Sequence, residues 1–248
     1  MFAFDDERVV ANAGLVLVST LVERLGIEQV IEETLDLGER AGAARPGRKL
    51  LTLVCSALVG GDSIEDADVL RCGETQRVLG HRVMAPSTLG TFLRSFTFGH
   101  VRQLGKVFET ALGRAWAAGA GPDERPLTID LDSTIVEVSG QAKQDAGFGY
   151  TKRRGYHPIL ATRADTGEVL HARLRKGSAG SQRSAERFVC ELVARVRHLG
   201  ASRPLLVRAD GCSARQRSRR RLRRDHARER RGRAAVSRRS LLTPARSA

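Results

Sequence analysis

The chain has 248 residues, 41% hydrophobic but only 4% aromatic, so it can bury one large core or two small ones built mainly from Leu, Val, Ile and Ala. Its formal net charge of +14 is unevenly placed: residues 211–248 hold 14 Arg and two acids, whereas the first 210 residues hold 28 basic and 26 acidic side chains and are close to neutral. The longest apolar stretch, Leu50–Val59, falls short of the roughly 20 residues a membrane-spanning helix needs, and the acidic start Met1-Phe-Ala-Phe-Asp-Asp-Glu is unlike a basic secretory leader, so a cytoplasmic protein with no membrane partner is expected.

Residues 1–120 read as a helical region. Val16, Leu17, Leu21, Val22 and Leu25 recur at helical spacing and stop at Gly26. Leu50–Val59 reads as a buried helix, and Ser63-Ile-Glu-Asp66 as a capping box opening a short helix through Leu70. Another helix is expected over Pro86–Phe96, with Ser87 as its N-cap, and a longer one from about His100 to Ala117, before Gly119-Ala-Gly-Pro122 breaks the pattern.

From Arg125 the period changes to two. Leu127–Val138 reads as one strand, and His157–Ala164 and Glu168–Leu174 as two more joined by the turn Asp165-Thr-Gly167. Ser184–Leu199 reads as an amphipathic helix closed by Gly200, and Pro204–Asp210 as a fourth strand ending on an acid. Strand, strand, strand, helix, strand over 125–210 predicts a mixed α/β domain whose helix packs on a sheet. Residues 211–248 have no apolar periodicity and are expected to be disordered. Cys55, Cys72, Cys190 and Cys212 lie far apart and read as ordinary thiols in a reducing compartment.

The segment richest in chemistry is Thr128-Ile-Asp-Leu-Asp-Ser-Thr134. On a strand, Asp130 and Asp132 point to one face, and two carboxylates side by side need a cation, a donor or a shared proton. Two readings stand: a divalent metal such as Mg²⁺, or acids capping a turn at Ser133-Thr134. Asp210, at the end of the apolar strand Leu205-Leu-Val207, weights the first. If the two strands are neighbours, Asp132 and Asp210 hold metal between them for phosphodiester chemistry, which normally needs a third acid.

Ile129-Asp-Leu-Asp-Ser-Thr-Ile-Val136, Gly147-Phe-Gly-Tyr150, Arg154-Gly-Tyr-His-Pro158, Ala161-Thr-Arg-Ala-Asp-Thr-Gly-Glu168, Leu174-Arg-Lys-Gly-Ser178 and Arg208-Ala-Asp210 together resemble the catalytic core of an insertion-sequence DDE transposase. The thirteen-eighty insertion-sequence family is the one resembled, and Gly60-Gly-Asp-Ser-Ile-Glu-Asp-Ala-Asp68 and Met84-Ala-Pro-Ser-Thr-Leu-Gly-Thr-Phe-Leu93 extend the similarity over about residues 1–210. The resemblance implies a partial RNase-H-like core after the helical region, Mg²⁺ or Mn²⁺ as cofactor, and cleavage and strand transfer at transposon ends. DNA, as transposon ends and target, is the implied partner, with a homo-oligomer common for such enzymes and no small-molecule substrate. The family's first acid falls on Asp132 and its second on Asp210, both catalytic and metal-binding, with Asp130 beside the first as a further metal candidate.

The family's third acid, a Glu, has no counterpart. After Arg208-Ala-Asp210 the text turns to Gly211-Cys-Ser-Ala-Arg and Arg-rich low complexity, and Glu229 in Arg228-Glu-Arg-Arg231 reads as a solvated acid in a charge run. A frameshift in a GC-rich gene is favoured because the change falls inside a catalytic motif. An Arg-rich nucleic-acid-binding tail is the alternative. A catalytically incomplete, poorly soluble fragment is expected, the other readings being a non-catalytic DNA-binding protein that inhibits a full-length transposase, or an inert decay product. Lys152-Arg-Arg154, in a loop after the first strand, are candidate DNA phosphate contacts. Ser87–Phe96 reads either as the second helix of a helix-turn-helix, with Arg94 and Arg71 near phosphates, or as a core helix with the apolar stripe Leu89, Phe92, Leu93 and Phe96, and His157 reads as a structural histidine.

Overall fold

The structure, a computed structural model, describes residues 10, 12–122, 124–139, 143–149, 151–180 and 185–209. Its contacts divide the chain into two units, Met1–Gly121 and Pro122–Ala248.

The first unit is helical: α1 (Leu15–Arg24), α2 (Ile27–Thr34), α3 (Pro46–Leu58), a 3₁₀ segment (Glu65–Arg71), α4 (Thr75–Leu79), α5 (Pro86–Arg94) and α6 (Phe98–Ala115), which runs into a π turn at Trp116–Ala120. Gly26, expected as a stop, takes φ +58° and serves also as the start of α2. That helix, and α4, leave little periodic signal: α2 buries only Val30 and Ile31 among Glu28, Glu32 and Glu33, and α4 is five residues long. The apolar stripe expected on α1 is displaced. Leu15 is buried, with Val18 and Val22 partly so, whereas Leu17 (77% exposed) and Leu21 point outward. Both sets have helical spacing, so only the position of Cys55 on α3 and Leu79 on α4 selects the buried one.

Asp66 reaches back as the capping box requires, its Oδ2 accepting from the backbone N–H of Ser63 at 2.9 Å and of Asp62 at 3.0 Å, but the helix it opens is 3₁₀. In α5 the N-cap is Ala85, not Ser87, because Pro86 takes the first helical position with its pre-set φ. Leu89 and Phe92 are fully buried while Leu93 is exposed, so α5 is a core helix on one side. Its neighbour Lys49 is buried because its Nζ donates to the carbonyls of Gly42, at 2.8 Å, and Ala44. Burial lowers the Lys49 pKa, and Glu32 partly opposes that. Gly42 (φ +88°) closes this corner: a Cβ there would stand 2.9 Å from the Phe92 amide nitrogen.

The second unit contains β1 (Leu127–Ser133), β2 (Val136–Glu137), β3 (Gly147–Phe148), β4 (Arg154–Tyr156), β5 (Ile159–Arg163), β6 (Val169–Arg173), α7 (Ala185–His198) and β7 (Leu205–Ala209). The main sheet has the order β6-β5-β1-β7. Its β5 is antiparallel to both β1 and β6, and β7 returns parallel to β1 after the α7 crossover. This is the expected mixed α/β arrangement, a helical region followed by a partial RNase-H-like sheet-and-helix core. Leu127, Ile129, Ile159, Ala161 and Leu170 of the strands are buried, as are Phe188, Val189, Leu192 and Val196 of α7. The Arg-rich segment expected to be disordered lies outside the described residues.

The expected single strand Leu127–Val138 breaks at Thr134-Ile135, opposite His157-Pro158, where proline has no N–H to give the ladder. The pairing nevertheless resumes in the same register. Ser133 faces Ile159 and Val136 faces Tyr156, three residues further along one strand and three back along the other. One two-stranded ribbon therefore carries both the main sheet and a small one of order β2-β4-β3. The sequence reads as loop where the hairpin β3–β4 forms, because strands of two and three residues are too short to show a period. Glycines permit its packing, since a Cβ on Gly177 would overlap the carbonyl oxygens of Gly155 and Gly147. Gly177→Ala is expected to destabilise this unit by about 1–3 kcal/mol, read from the denaturation midpoint at unchanged slope.

His171 on β6 lies flat on Phe188, ring centroids 4.5 Å apart, with Arg195 Nη1 3.0 Å from its Nδ1. Burial, then Arg195 and Arg173, push its pKa down to about 4. Glu191, 3.6 Å from Nε2, does not offset this because its carboxylate is already shared by Arg173 and Arg187. The unfolded chain therefore takes up the proton first as pH falls. The resulting stability is complete above about 6.5 and is lost progressively towards 4, by roughly 3 kcal/mol if the whole shift is expressed. Urea titrations of wild type and His171→Phe across that window should show the steeper loss in wild type; parallel slopes would disprove a neutral buried imidazole.

Candidate active site

Alternation along β1 sets the chemistry. Leu127 and Ile129 are buried against the core, so Thr128, Asp130 and Asp132 take the opposite face. Asp132 stands exposed near the carboxyl end of β1, and its Oδ1 accepts the Ser133 backbone N–H at 2.7 Å. The turn-capping role thus engages one oxygen; the other makes no hydrogen bond among the described residues.

Asp130 has a different environment. Arg208, directly opposite it on β7, donates from Nε to Oδ1 at 2.5 Å and from Nη2 to Oδ2 at 2.6 Å, a two-pronged charge-assisted pair. The Arg208 guanidinium holds the Asp130 carboxyl below its ordinary range, and Asp130 in turn raises the Arg208 pKa. Arg208 was not anticipated. The available signal was its position two residues before Asp210, on the same face of a strand expected beside β1.

The conditional expectation that these strands are neighbours is met: β1 and β7 pair in parallel, with Leu131 opposite Ala209. Asp210 itself lies outside the described residues, as does Glu229. Hard carboxylate oxygens fit Mg²⁺ or Mn²⁺ in donor chemistry, and the exposed Asp132 offers one such ligand. Asp130 as placed fits less well, since both oxygens face a fixed cation. Among the described residues no three His, Cys, Asp or Glu side chains gather as a metal-binding group.

Of the candidate DNA contacts, Lys152 (φ +56°) and Arg153 are exposed in the β3–β4 turn and Arg154 begins β4. Arg153 Nη1 lies 2.5 Å from Glu137 Oε1, so part of its charge is answered locally. Arg94 belongs to the helical unit, exposed at the end of α5 with Nη2 3.3 Å from Thr91 Oγ1. His157 is 1% exposed with its Nδ1 2.6 Å from the Ala179 carbonyl oxygen, a structural placement. A hollow lined by Pro122, Glu124, Arg125, Leu127 and Ala201 lies at the opposite end of β1 from Asp132 and brings no candidate acid of the site with it.

A mixed sheet with an exposed aspartate near the end of its central strand, flanked by one antiparallel and one parallel neighbour, defines a partial RNase-H-like core. Residues 1–228 match the family described as Transposase DDE domain group 1, and the chain belongs to that family. Among curated proteins nothing matches it. Among the described residues no helix is long and apolar enough to cross a membrane.

Because Asp130 and Arg208 are partly exposed, their pair is expected to add little to stability. Asp130→Asn and Arg208→Gln should each leave the urea denaturation midpoint close to that of wild type. A large drop in the midpoint at unchanged slope would instead make the pair a structural pin of the β1–β7 contact.

Proposed function

We propose that this chain carries the strand-cleaving and strand-joining site of an insertion-sequence DDE transposase of the thirteen-eighty kind, with Asp132 and Asp210 as its first two acids. The observation that carries the reading is the parallel pairing of Leu131 with Ala209. Asp132 and Asp210 directly follow these two residues in the sequence. Family membership supports DNA as partner and a divalent metal as cofactor.

In this reading Asp132 supplies a ligand oxygen while its other oxygen stays on the Ser133 N–H, which fixes the carboxylate plane. Arg208 holds Asp130 aside, limiting the negative charge near Asp132. Mg²⁺ or Mn²⁺, when bound, would supply activation of the attacking water or 3′-hydroxyl and charge neutralisation at the phosphodiester. Lys152, Arg153, Arg154 and Arg94 contact DNA phosphate, positioning the strand without reading its sequence. The domain assignment follows: residues 1–120 for recognition of the element's ends, 125–210 for the catalytic core, and 211–248 as an Arg-rich segment. Cytoplasmic residence and assembly as a homo-oligomer on paired ends are part of the same reading.

In this reading Asp132 and Asp210 are two of the three acids this chemistry uses. A second reading, DNA binding without catalysis and inhibition of a full-length transposase, is favoured by the 14 Arg of residues 211–248. Mn²⁺ titration of the folded chain tests the first. Asp132→Ala should weaken binding at least about tenfold, the loss that even an outer-shell partner of a metal site costs, and Asp130→Asn much less. Equal binding by wild type and Asp132→Ala would remove Asp132 from the site. Strand cleavage of a DNA bearing the element's own end, abolished by Asp132→Ala, would support Asp132 as a catalytic acid; cleavage that persists in Asp132→Ala would overturn that role.

A further inference from the structure

We infer that the open face of the small sheet β2-β4-β3 is a stacking platform for unpaired DNA bases, with Phe148 as its central side chain. Directly opposed residues of an antiparallel pair point the same way, and Phe148 faces Arg154 while Val136 faces Tyr156. Alternation along β4 then puts Phe148, Arg154, Tyr156 and Val136 on one face. The other face is closed: the backbone at Gly177 lies so near Gly155 and Gly147 that no side chain fits between them. The first face is open at Phe148, 67% exposed, and Val136, 46% exposed, while Tyr156 is half-buried, its hydroxyl donating to the Gln144 carbonyl oxygen at 2.8 Å. On edge strand β3 the Phe148 ring stands between Gly147 and Gly149, neither of which has a side chain to shield it.

Charge selects the occupant. Among the described residues, the strand positions on this face are two aromatic rings, a valine and an arginine, and none of them is a carboxylate. The turn beside it bears Lys152 and Arg153, while the nearby acids Glu137 and Asp145 are paired with Arg153 and Lys176. Aromatic rings interleaved with cations suit a nucleic-acid strand, in which cations track phosphates and rings stack on bases. A ring can lie on a base only where that base has left its duplex stack, so the face suits single-stranded or unpaired DNA.

Placement supplies the second support. Since β1/β5 and β2/β4 are one ribbon in one register, Val136 lies four residues beyond Asp132, about 13 Å along it at ordinary strand rise. A strand whose base rests on Phe148 has its neighbouring phosphates within a few nucleotides of Asp132. The choice of DNA over RNA rests on the transposase reading; the stacking surface does not, and its test involves neither metal nor cleavage.

The full chain is titrated with a single-stranded oligonucleotide and with its duplex, without added metal and at salt high enough to suppress binding by the Arg-rich segment. Phe148→Ala should lower single-strand affinity about 5- to 100-fold and duplex affinity less than about 2-fold, whereas Phe148→Tyr should keep both. Trp116 is the only native tryptophan, so Phe148→Trp adds a reporter whose emission the single strand should quench beyond the wild-type change. Unchanged single-strand affinity in Phe148→Ala, or unquenched Phe148→Trp at saturation, overturns the proposal. So does altered sedimentation of Phe148→Ala with unaltered DNA affinity, which would give the face to a second copy of the chain. Should Phe148→Ala fail to fold, the tyrosine and tryptophan variants carry the test.

Discussion

Strand β1 has to satisfy an antiparallel neighbour, a parallel neighbour and a helix-covered core at the same time. Its backbone ladders to β5 and β7 fix its register from both sides, and the burial of Leu127 and Ile129 fixes which face looks inward. A slip of one residue would drive Asp130 and Asp132 into the core and expose Ile129. The polar face of the sheet, and every carboxylate on it, is therefore held by apolar residues on the reverse.

Within that frame, two aspartates separated by one leucine acquire opposite characters. Asp130 meets a guanidinium directly across the β1–β7 pair, so its charge is already compensated. Asp132, two residues nearer the strand's end, accepts the N–H of Ser133 on one oxygen, and its other oxygen makes no hydrogen bond among the described residues. The same register runs through the break at Thr134 and Pro158, so the basic and aromatic hairpin continues from the acid's own strand. At the break Pro158 has no N–H to donate, but its carbonyl oxygen still accepts from the Thr134 N–H at 3.3 Å.

The helical unit shows where sequence pattern stops being decisive. Helix α3 is legible from the apolar run Leu50–Val59, α6 from its length and the break at Gly119-Ala-Gly-Pro122, and α5 because proline marks its first turn. On α1, Leu17 and Leu21 carry as good a helical spacing as Leu15, Val18 and Val22, and only neighbours distant in sequence decide which set is buried. Helix α2 was hidden because a single left-handed glycine serves two helices at once.

By itself the sequence determined the change from helical to strand periodicity near residue 120, the order of the long strands and α7, the acids on one face of β1, and the family to which the motifs belong. These are local properties, set by side-chain period, turn residues and ordered motifs. The tertiary structure alone decided that Arg208 answers Asp130, that Ala209 lies beside Leu131, and that Leu127–Val138 divides between two sheets. It also decided that Phe148 stands open while the glycine face behind it is closed. Each of those depends on pairing between segments tens of residues apart, and a strand of two residues has no period from which such pairing can be read.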